Sequence, residues 1–510
     1  MKTSRSRLAL ALAASLGGCA VGPDYQPPAV LTPGGFVAEA AVGSSRVYGA
    51  GGVDIRQWWR SLRDPELNSL VDRALASNFD LEIALDRVQE ARARVFGTAS
   101  EALPVVDAVA GGGGGTGSDE TNGRLPSEFR AGENSKGLNY IAGAGGAVGN
   151  WDLDLFGRIK REVEADQDNA EALMHARDWV YVTVASDVAR VYLDMRAEQR
   201  LLVVLGENIE AARKAQGLAQ SVLDQGLGDE LDVDLAKRQL ATLESDRGPL
   251  IGQIENSKHA IAVLMGQFPE AMTRELAHGG AMPVLPARIP VGLPVDLIRR
   301  RPDLAQIERQ LAAANALLGA AIADLFPSVS LTGGFGEQGG PRTSVSLSPA
   351  SVIWTLGPSF SAPVLDFGGL DAAIEVADFR THEILMIYRQ AILNAVRQVD
   401  DAVASYHAQQ QRLADLDRAL TAAREATRIA TERYNRGLTD FLNVLDAERQ
   451  QYDLEQRHVA ARQVEAEALV ALFEALGGGW PENAALPPIR RPEQASLAAV
   501  RYLTSPNPNR

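Results

Sequence analysis

The chain has 510 residues, a formal charge of −15 and only 6% aromatic residues. This charge excludes nucleic acid as a partner, because binding phosphate needs clusters of Lys and Arg. Cys19 is the only cysteine, so an internal disulfide framework is excluded as well.

Residues 1–18 have the pattern of a secretory signal. Three basic residues precede a short apolar stretch, residues 8–16, which is too short to span a bilayer. The segment ends in Leu16-Gly17-Gly18-Cys19, which resembles a bacterial lipobox, where small residues precede a cysteine that is cleaved and acylated. We therefore expect Cys19 to carry a lipid. Ala20 rather than Asp follows it, which favours the outer membrane.

Residues 19–63 are rich in Gly, Pro and Ala at their start, and predict an extended tether and an equatorial segment. Helical patterning begins at Asp64-Pro65, a typical helix start, and continues to about Leu103. Its apolar face contains Leu67, Leu70, Val71, Ala74 and Leu75. Pro104 ends this helix. Two further segments, residues 105–117 and 138–151, predict a β-hairpin.

A very long helix is predicted from Phe156-Gly157 to about residue 224. Its ~68 residues correspond to a length on the order of 100 Å. A break at Gly226–Asp229 separates it from a returning helix at about residues 230–265. Globular helices rarely reach this length, so a coiled coil or tunnel wall is indicated. Residues 64–266 form this first unit, and residues 267–294 predict a proline-rich linker.

Residues 295–476 repeat the same series, and residues 477–510 form a tail. A helix, a hairpin, a long helix to about Asn435 and a last helix to about Leu476 follow one another. The matching pairs are 211 residues apart, as in Phe156 and Phe367, Gly226 and Gly437, Leu227 and Leu438, and Asp229 and Asp440. Constant spacing over about 80 residues predicts an internal repeat with helices of one shared length.

The hairpin segments alternate apolar and polar residues with period two. In the last of them Val352, Trp354, Leu356 and Phe360 alternate with small polar residues. No segment after the signal is apolar for the ~18 residues of a transmembrane helix. If the chain crosses a membrane, it must do so as a closed β-barrel. A soluble half-buried sheet is the alternative, and the export signal and the long helices favour the barrel.

Four groups of motifs carry a resemblance to a known family. They are Cys19–Tyr25; Trp58-Trp59, Asp64-Pro65 and Asn78–Leu81; Trp151–Arg158; and Gly292–Pro294, Arg300–Asp303, Ala313–Ala316 and Phe326-Pro327. On these motifs the chain resembles TolC-like outer membrane factors, in the lipoprotein branch that serves resistance-nodulation-division tripartite pumps. The resemblance covers essentially residues 19 to 480.

The resemblance implies a mixed, mainly α fold with two internal repeats. Long helical hairpins form a periplasmic α-barrel, and each protomer of a homotrimer adds four strands to a transmembrane β-barrel. The implied function is an outer-membrane exit duct that passively conducts drugs or other small molecules to the exterior. The implied partners are a periplasmic adaptor protein, an inner-membrane pump and outer-membrane lipid. No cofactor is implied, apart from the covalent lipid on Cys19.

The resemblance also implies which residues close and dock the duct. The gate residues are Asp232, Tyr434, Asn443 and Asp446. Asn443 stands where the best-known member of the family has Asp. Adaptor docking is assigned to the two breaks between long helices, at Gly226, Leu227, Asp229, Gly437, Leu438 and Asp440. Glycine permits the tight reversal there, and exposed leucines offer an apolar contact.

Three other functions are alternatives to the duct. An enzyme is disfavoured, because the six histidines are scattered and the glycine run 111–115 lacks the ending of a nucleotide-binding loop. A periplasmic coiled-coil scaffold lipoprotein explains the anchor and the helices, but not the alternating segments. A type I protein secretion channel shares the whole architecture, and the sequence separates protein cargo from small molecules poorly.

Overall fold

The chain folds as two similar series of helices and strands. The structure is a computed structural model that describes residues 20–29, 33, 35–37, 54–116, 139–226, 228–285, 300–339 and 352–481. Of the residues singled out above, Cys19 and Leu227 lie outside the described residues.

The first series begins with a 3-10 segment, Ile55–Leu62. Its helices and strands are α1 Pro65–Ser77, α2 Phe79–Ser100, β1 Val105–Thr116, β2 Asn139–Asp152, α3 Arg158–Asp224, α4 Glu230–Ser245, α5 Arg247–Leu264 and the short α6 Glu270–Glu275. The second series is α7 Pro302–Ala323, β3 Ser328–Gly339, β4 Val352–Ser361, α8 Gly369–Asn435 and α9 Phe441–Ala475.

The two long helices, α3 and α8, each have 67 residues. This length corresponds to about 100 Å, as the sequence predicted. Both helices begin after a glycine in the left-handed region, Gly157 with φ +79° and Gly368 with φ +88°. Their first residues, Arg158 and Gly369, are again 211 residues apart.

Two helices predicted to be continuous are each divided in the structure. The predicted helix from residue 64 to about 103 breaks at Asn78, whose side chain accepts hydrogen bonds from the amides of Asp80 and Leu81 and so caps α2. The returning helix predicted at 230–265 breaks at Asp246. Pro249 is the physical reason, because it has no amide hydrogen and its ring clashes with the carbonyl of the residue four positions earlier.

The four strands form one antiparallel sheet in the order β1-β2-β3-β4. β2 joins the two series, because it pairs with β1 on one side and with β3 on the other. β1 and β4 are the outer strands, and each has one edge unpaired among the described residues. The hairpins therefore form one sheet with two open edges.

One face of this sheet is apolar and exposed. The register places Phe335 opposite Trp354 and Val329 opposite Phe360. Phe335, Trp354, Leu356 and Phe360 are 62%, 72%, 68% and 71% exposed. The other face has small polar residues such as Ser330, which pairs with Ser359. The period-two pattern read from the sequence is thus observed.

The largest core joins the N-terminal helices to α3 and α9. Trp58 is stacked on Phe473 with ring centroids 5.0 Å apart. Four residues of the predicted apolar face of α1 are buried in this core: Leu67, Leu70, Val71 and Ala74. Tyr192 of α3 is fully buried there and donates a hydrogen bond to Asp64. None of the described helices combines the length and the apolar character that crossing a membrane requires.

Candidate functional site

The candidate site is the tip, which comprises residues 223–226, 228–233 and 433–446 around the two turns that end α3 and α8. At the second turn Gly437 has φ +69°. Its amide donates to the carbonyl of Tyr434, and the amide of Leu438 donates to that of Arg433, both at 2.9 Å. These two bonds form a Schellman motif, which needs a residue with positive φ.

The first turn has the same form at Gly226, with φ +73° and an amide that donates to the carbonyl of Leu223 at 2.8 Å. A Cβ added at Gly226 or at Gly437 meets no described atom within 4 Å. Glycine is therefore required at both turns by the backbone conformation and not by crowding. The predicted role of the two glycines as turn residues agrees with this geometry.

A small apolar cluster packs the two turns together. Phe441, Val444 and Leu445 of α9 are buried against Val233 and Ala236 of α4. The ring of Tyr434 is part of the cluster, with its centroid 5.2 Å from that of Phe441. The ends of the two long helical hairpins are thus in contact within one chain.

Asp232 and Tyr434 are linked directly across these hairpins. The Tyr434 hydroxyl donates to Oδ2 of Asp232 at 3.4 Å. Partial burial and the neighbouring carboxylates of Asp229 and Asp440 raise the pKa of Asp232, and the hydrogen bond from Tyr434 opposes this rise. Burial, together with the Asp232 charge, also raises the pKa of Tyr434. Two predicted gate residues, 202 positions apart, are brought together.

The other two predicted gate residues do not join this link in the single chain. The Asn443 amide donates to Thr439 Oγ1 at 2.9 Å, and Asp446 accepts from Gln450 at 2.7 Å. Both side chains are exposed and bonded to their own helix or its cap.

The predicted docking residues divide into caps and contacts. Asp229 caps α4 by accepting from the Leu231 amide at 3.1 Å, whereas Asp440 precedes α9 without a side-chain capping bond. Leu438 is 61% exposed. Two further leucines that were not predicted as docking residues, Leu231 and Leu442, are 60% and 61% exposed. Their spacing of 211 residues is the signal that could have found them.

The described residues contain no group of three or more His, Cys, Asp or Glu side chains arranged to hold a metal ion. Cys19, the predicted lipid acceptor, lies outside them, but its neighbour Ala20 is described. The Val21 amide donates to the carbonyl of Phe156 at 3.1 Å. Residue 20 therefore lies at the junction between β2 and α3, next to the end of the sheet.

Comparisons with known proteins agree with this architecture. The outer membrane efflux protein family matches residues 70–267 and again residues 293–478. Nodulation protein T of Rhizobium leguminosarum bv. trifolii is 30% identical over 91% of the chain and 95% of that protein. Cation efflux system protein CusC of Escherichia coli (strain CFT073) is 29% identical over 93% of the chain and 99% of that protein.

Solved structures of channels share the fold. The outer-membrane channel OprN is 34% identical, with a TM-score of 0.81, and the match covers 91% of this chain and 100% of OprN. A structure of CusC is 26% identical, with a TM-score of 0.76, over 90% of this chain and 100% of that one. The chain thus has the fold of outer-membrane channels.

The chain belongs to the outer membrane efflux protein family. It is an outer-membrane exit duct, as the sequence predicted. The relatives include a solvent efflux pump outer membrane protein, SrpC of Pseudomonas putida, which is 29% identical over 91% of this chain.

Proposed function

We propose that the protein is the homotrimeric exit duct of a tripartite pump and passively conducts small molecules from the periplasm to the exterior. The observation that carries the proposal is the four-stranded sheet with two open edges and an exposed apolar face, joined to hairpins about 100 Å long. Open strand edges expose unpaired N–H and C=O groups, which can pair with a strand of another chain. Pairing β4 of one protomer with β1 of the next satisfies both edges and yields a closed twelve-stranded barrel.

The arrangement of side chains on the sheet supports the barrel. Outer-membrane barrels direct apolar residues to lipid and polar residues to the lumen, with aromatic residues near the interfaces. The apolar face contains Trp354 and Phe360, and the opposite face contains Ser359 and Thr332. Conductance in planar bilayers tests the duct directly. Stepwise ion conductance is expected, whereas a periplasmic scaffold lipoprotein would give none.

Within this assembly the tip is proposed to dock a periplasmic adaptor, which connects the duct to an inner-membrane pump. Leu231, Leu438 and Leu442 expose apolar surface there, and exposed apolar surface is typical of a protein–protein contact. Gly226, Asp229, Gly437 and Asp440 shape the two turns that present them. Leu227 lies outside the described residues, and we assign it to the same surface from the repeat.

The adaptor contact is tested by replacing Leu231 and Leu442 together with Glu. Val263→Glu is the control. Val263 is 63% exposed, like the two leucines, but it lies near the C-terminal end of α5 and outside the tip. The double variant should lose crosslinking to the adaptor and drug resistance, while it still conducts in bilayers. Unchanged crosslinking of the double variant would contradict docking at the tip.

The gate is proposed to be the Asp232–Tyr434 link, completed by Asn443 and Asp446 in contacts between protomers. Three copies of each acidic residue then surround one axis.

Small-molecule cargo is preferred over exported protein, because the similar proteins include a cation efflux protein and a solvent efflux pump protein. A type I protein secretion duct is the second candidate. Deleting this chain should abolish export of a protein substrate if it is a secretion duct, and should leave that export unchanged if it conducts only small molecules.

We also propose that Cys19 carries lipid as the first residue of the mature chain. The location of Ala20 supports this proposal, because Ala20 lies next to Gly157, close to the end of β2. A residue attached there is close to the membrane boundary if the strands form the barrel. Two or more acyl chains give stable anchoring, where a single chain is marginal.

A further inference from the structure

The joint between α4 and α5, residues 244–249, stands away from α3, along which both helices pack. All six of its residues are exposed, whereas Leu243 before it and Leu250 after it are 4% and 6% exposed and belong to an apolar cluster with α3. A helix that packs on one face buries a residue every three or four positions. The joint is therefore unpacked over a length at which one further buried residue is expected.

The backbone hydrogen bonds of the joint are weak. The Asp246 amide donates to the carbonyl of Leu243, only three positions earlier, at 3.3 Å, and the Leu250 amide donates to the carbonyl of Asp246 at 3.5 Å. Pro249 has no amide hydrogen to offer the carbonyl of Ser245. The backbone of Asp246 nevertheless stays right-handed, with φ −75° and ψ −14°. The joint thus weakens the helix without turning the chain.

The matching part of the second hairpin is continuous. α9 runs as one helix of 35 residues. At the spacing of 211 residues, Gly248 and Pro249 correspond to Val459 and Ala460. Val459 is 7% exposed in an apolar cluster with α3, whereas a Cβ added at Gly248 meets no described atom within 4 Å. The weak joint is therefore a feature of the first hairpin and not of the repeat.

Beyond the joint, α4 is bonded to the second hairpin. Asp232 accepts a hydrogen bond from Tyr434, and Nε of Arg449 in α9 donates to Gln239 at 2.8 Å. Val233 is 2% exposed in the apolar cluster that α4 shares with α9, to which α3 also contributes. The end of α4 near the tip thus lies between α3 and the second hairpin, and its direct polar links go to the second hairpin.

On the other side of the joint, α5 belongs to the largest core. Ile254 and Ile261 are 5% and 0% exposed in that core. The side-chain amide of Asn78, which caps α2, donates to the carbonyl of Leu264 at 2.8 Å. The joint therefore separates a helix that is fixed to the tip from a helix that is fixed to the core.

The first turn of α4 contains a residue of the proposed docking surface and a residue of the proposed gate. Leu231 is 60% exposed, and Asp232 beside it accepts the bond from Tyr434. Asp232 precedes Asp246 by 14 residues, or about 21 Å of helix. A rotation of about 10° at the joint would move Asp232 by about 4 Å. Such a movement is enough to break its bond to Tyr434.

We propose that the joint is a hinge and that α4 is a lever, through which an adaptor bound at Leu231 draws Asp232 away from Tyr434 while α5 stays on the core. Gly248 and Pro249 are the positioning residues, because they keep the helix weak at this point. The hinge follows from the geometry of the joint alone, whereas its use as a lever rests on the proposed gate and docking surface.

Hydrogen exchange followed by mass spectrometry tests the hinge on the purified channel in detergent. Amides of residues 244–250 should exchange about tenfold or more faster than those of residues 421–426, which are mostly exposed but lie inside α8. Pro249→Ala gives the carbonyl of Ser245 a donor and should slow exchange in the joint about tenfold. Gly248→Ala should slow it as well, because alanine favours the helix.

Gly217→Ala is the matched control for these variants. Gly217 is a helical glycine of α3, and a Cβ added there meets no described atom within 4 Å. This variant favours a helix elsewhere and should leave exchange in the joint unchanged. Equal exchange in residues 244–250 and 421–426, or no slowing in Pro249→Ala and Gly248→Ala, would overturn the hinge.

Single-channel recording in planar bilayers tests the lever. Tyr434→Phe should raise the open population, because it frees α4 from the second hairpin. Adding Pro249→Ala should lower that open population about threefold or more, since a stiffened α4 turns less readily. Equal open populations in the single and double variants would overturn the lever even where exchange supports the hinge. If Tyr434→Phe alone has no effect, the gate and the lever both fall, and the exchange rates still decide the hinge.

Discussion

At the scale of single residues, the proposed gate requires the contact between Asp232 and Tyr434. They lie on different hairpins, and their link is a single hydrogen bond of 3.4 Å beside a packed apolar cluster. A partly exposed hydrogen bond is worth roughly 1 kcal/mol. It can therefore bias closure without determining whether the chain folds.

Tyr434→Phe should weaken closure and leave packing intact. The variant keeps the ring on Phe441 and loses only the hydroxyl, so a loss of roughly 1 kcal/mol corresponds to about a fivefold larger open population. Single-channel recording measures this change. Tyr452→Phe is the control, because the Tyr452 hydroxyl bonds Gln456 of its own helix. Identical gating of Tyr434→Phe and the wild type would show that the link does not close the duct.

The same link predicts a response to pH. The pKa of Asp232 is raised in the packed tip by burial, Asp229 and Asp440. Such a group binds a proton more tightly there than in water, so the packed tip is favoured as pH falls through the raised pKa and disfavoured as pH rises above it. Acidification should therefore lower the open probability of the channel.

Asp232→Asn should remove this response, because the amide does not titrate. Asp234→Asn should keep it, since Asp234 is exposed and pairs with Lys237 of its own helix. Recording open probability at a series of pH values distinguishes the two variants. A full response in Asp232→Asn would assign the titration to another group.

At the scale of elements, the turns and the long helices place opposite demands on glycine. Gly437→Ala should destabilise the chain by about 1–2 kcal/mol, because alanine is strained in the left-handed conformation. Gly206→Ala should stabilise it by up to about 1 kcal/mol, because Gly206 lies within α3 with open space around it. Thermal unfolding followed by helical circular dichroism should thus shift in opposite directions. Shifts in the same direction would contradict this assignment.

The long elements were predictable because their signals are local. Apolar spacing, prolines and glycines gave the two helices of 67 residues and the alternating face of β4. The break at Asn78 was missed, although its cap is a local feature, because the apolar pattern continues on both sides of it. The break at Asp246 was missed because the proline that causes it follows three residues later.

The sites were less predictable, because their contacts are distant in sequence. The pairing of Asp232 with Tyr434 was expected only from the family resemblance, and no spacing in the chain indicates it. Residues 20–25 were predicted to be an extended tether, because their partners Arg161 and Asn315 lie 137 and 292 positions from the residues that they bind. A buried arginine in a helix gives no sign in the sequence of what it holds.

At the scale of the whole molecule, the proposed duct depends on closing the open edges of the sheet. β1 and β4 cannot pair with each other in one protomer, because β2 and β3 lie between them in a four-stranded order. Three protomers joined from edge to edge satisfy every strand, and they place the two hairpins of each chain around a common axis. The proposed gate and docking surface both assume this ring.

Crosslinking between strand edges tests the ring most directly. Ala108→Cys on β1 is combined in turn with Trp354→Cys, Leu356→Cys and Phe360→Cys on β4, all on one face of the sheet by register. Oxidation in membranes is followed by denaturing electrophoresis, with the wild type and each single variant as controls for Cys19. The account predicts that at least one pair yields covalent species up to three times the chain mass and no larger. Crosslinks confined to single chains, or ladders beyond three, would contradict it.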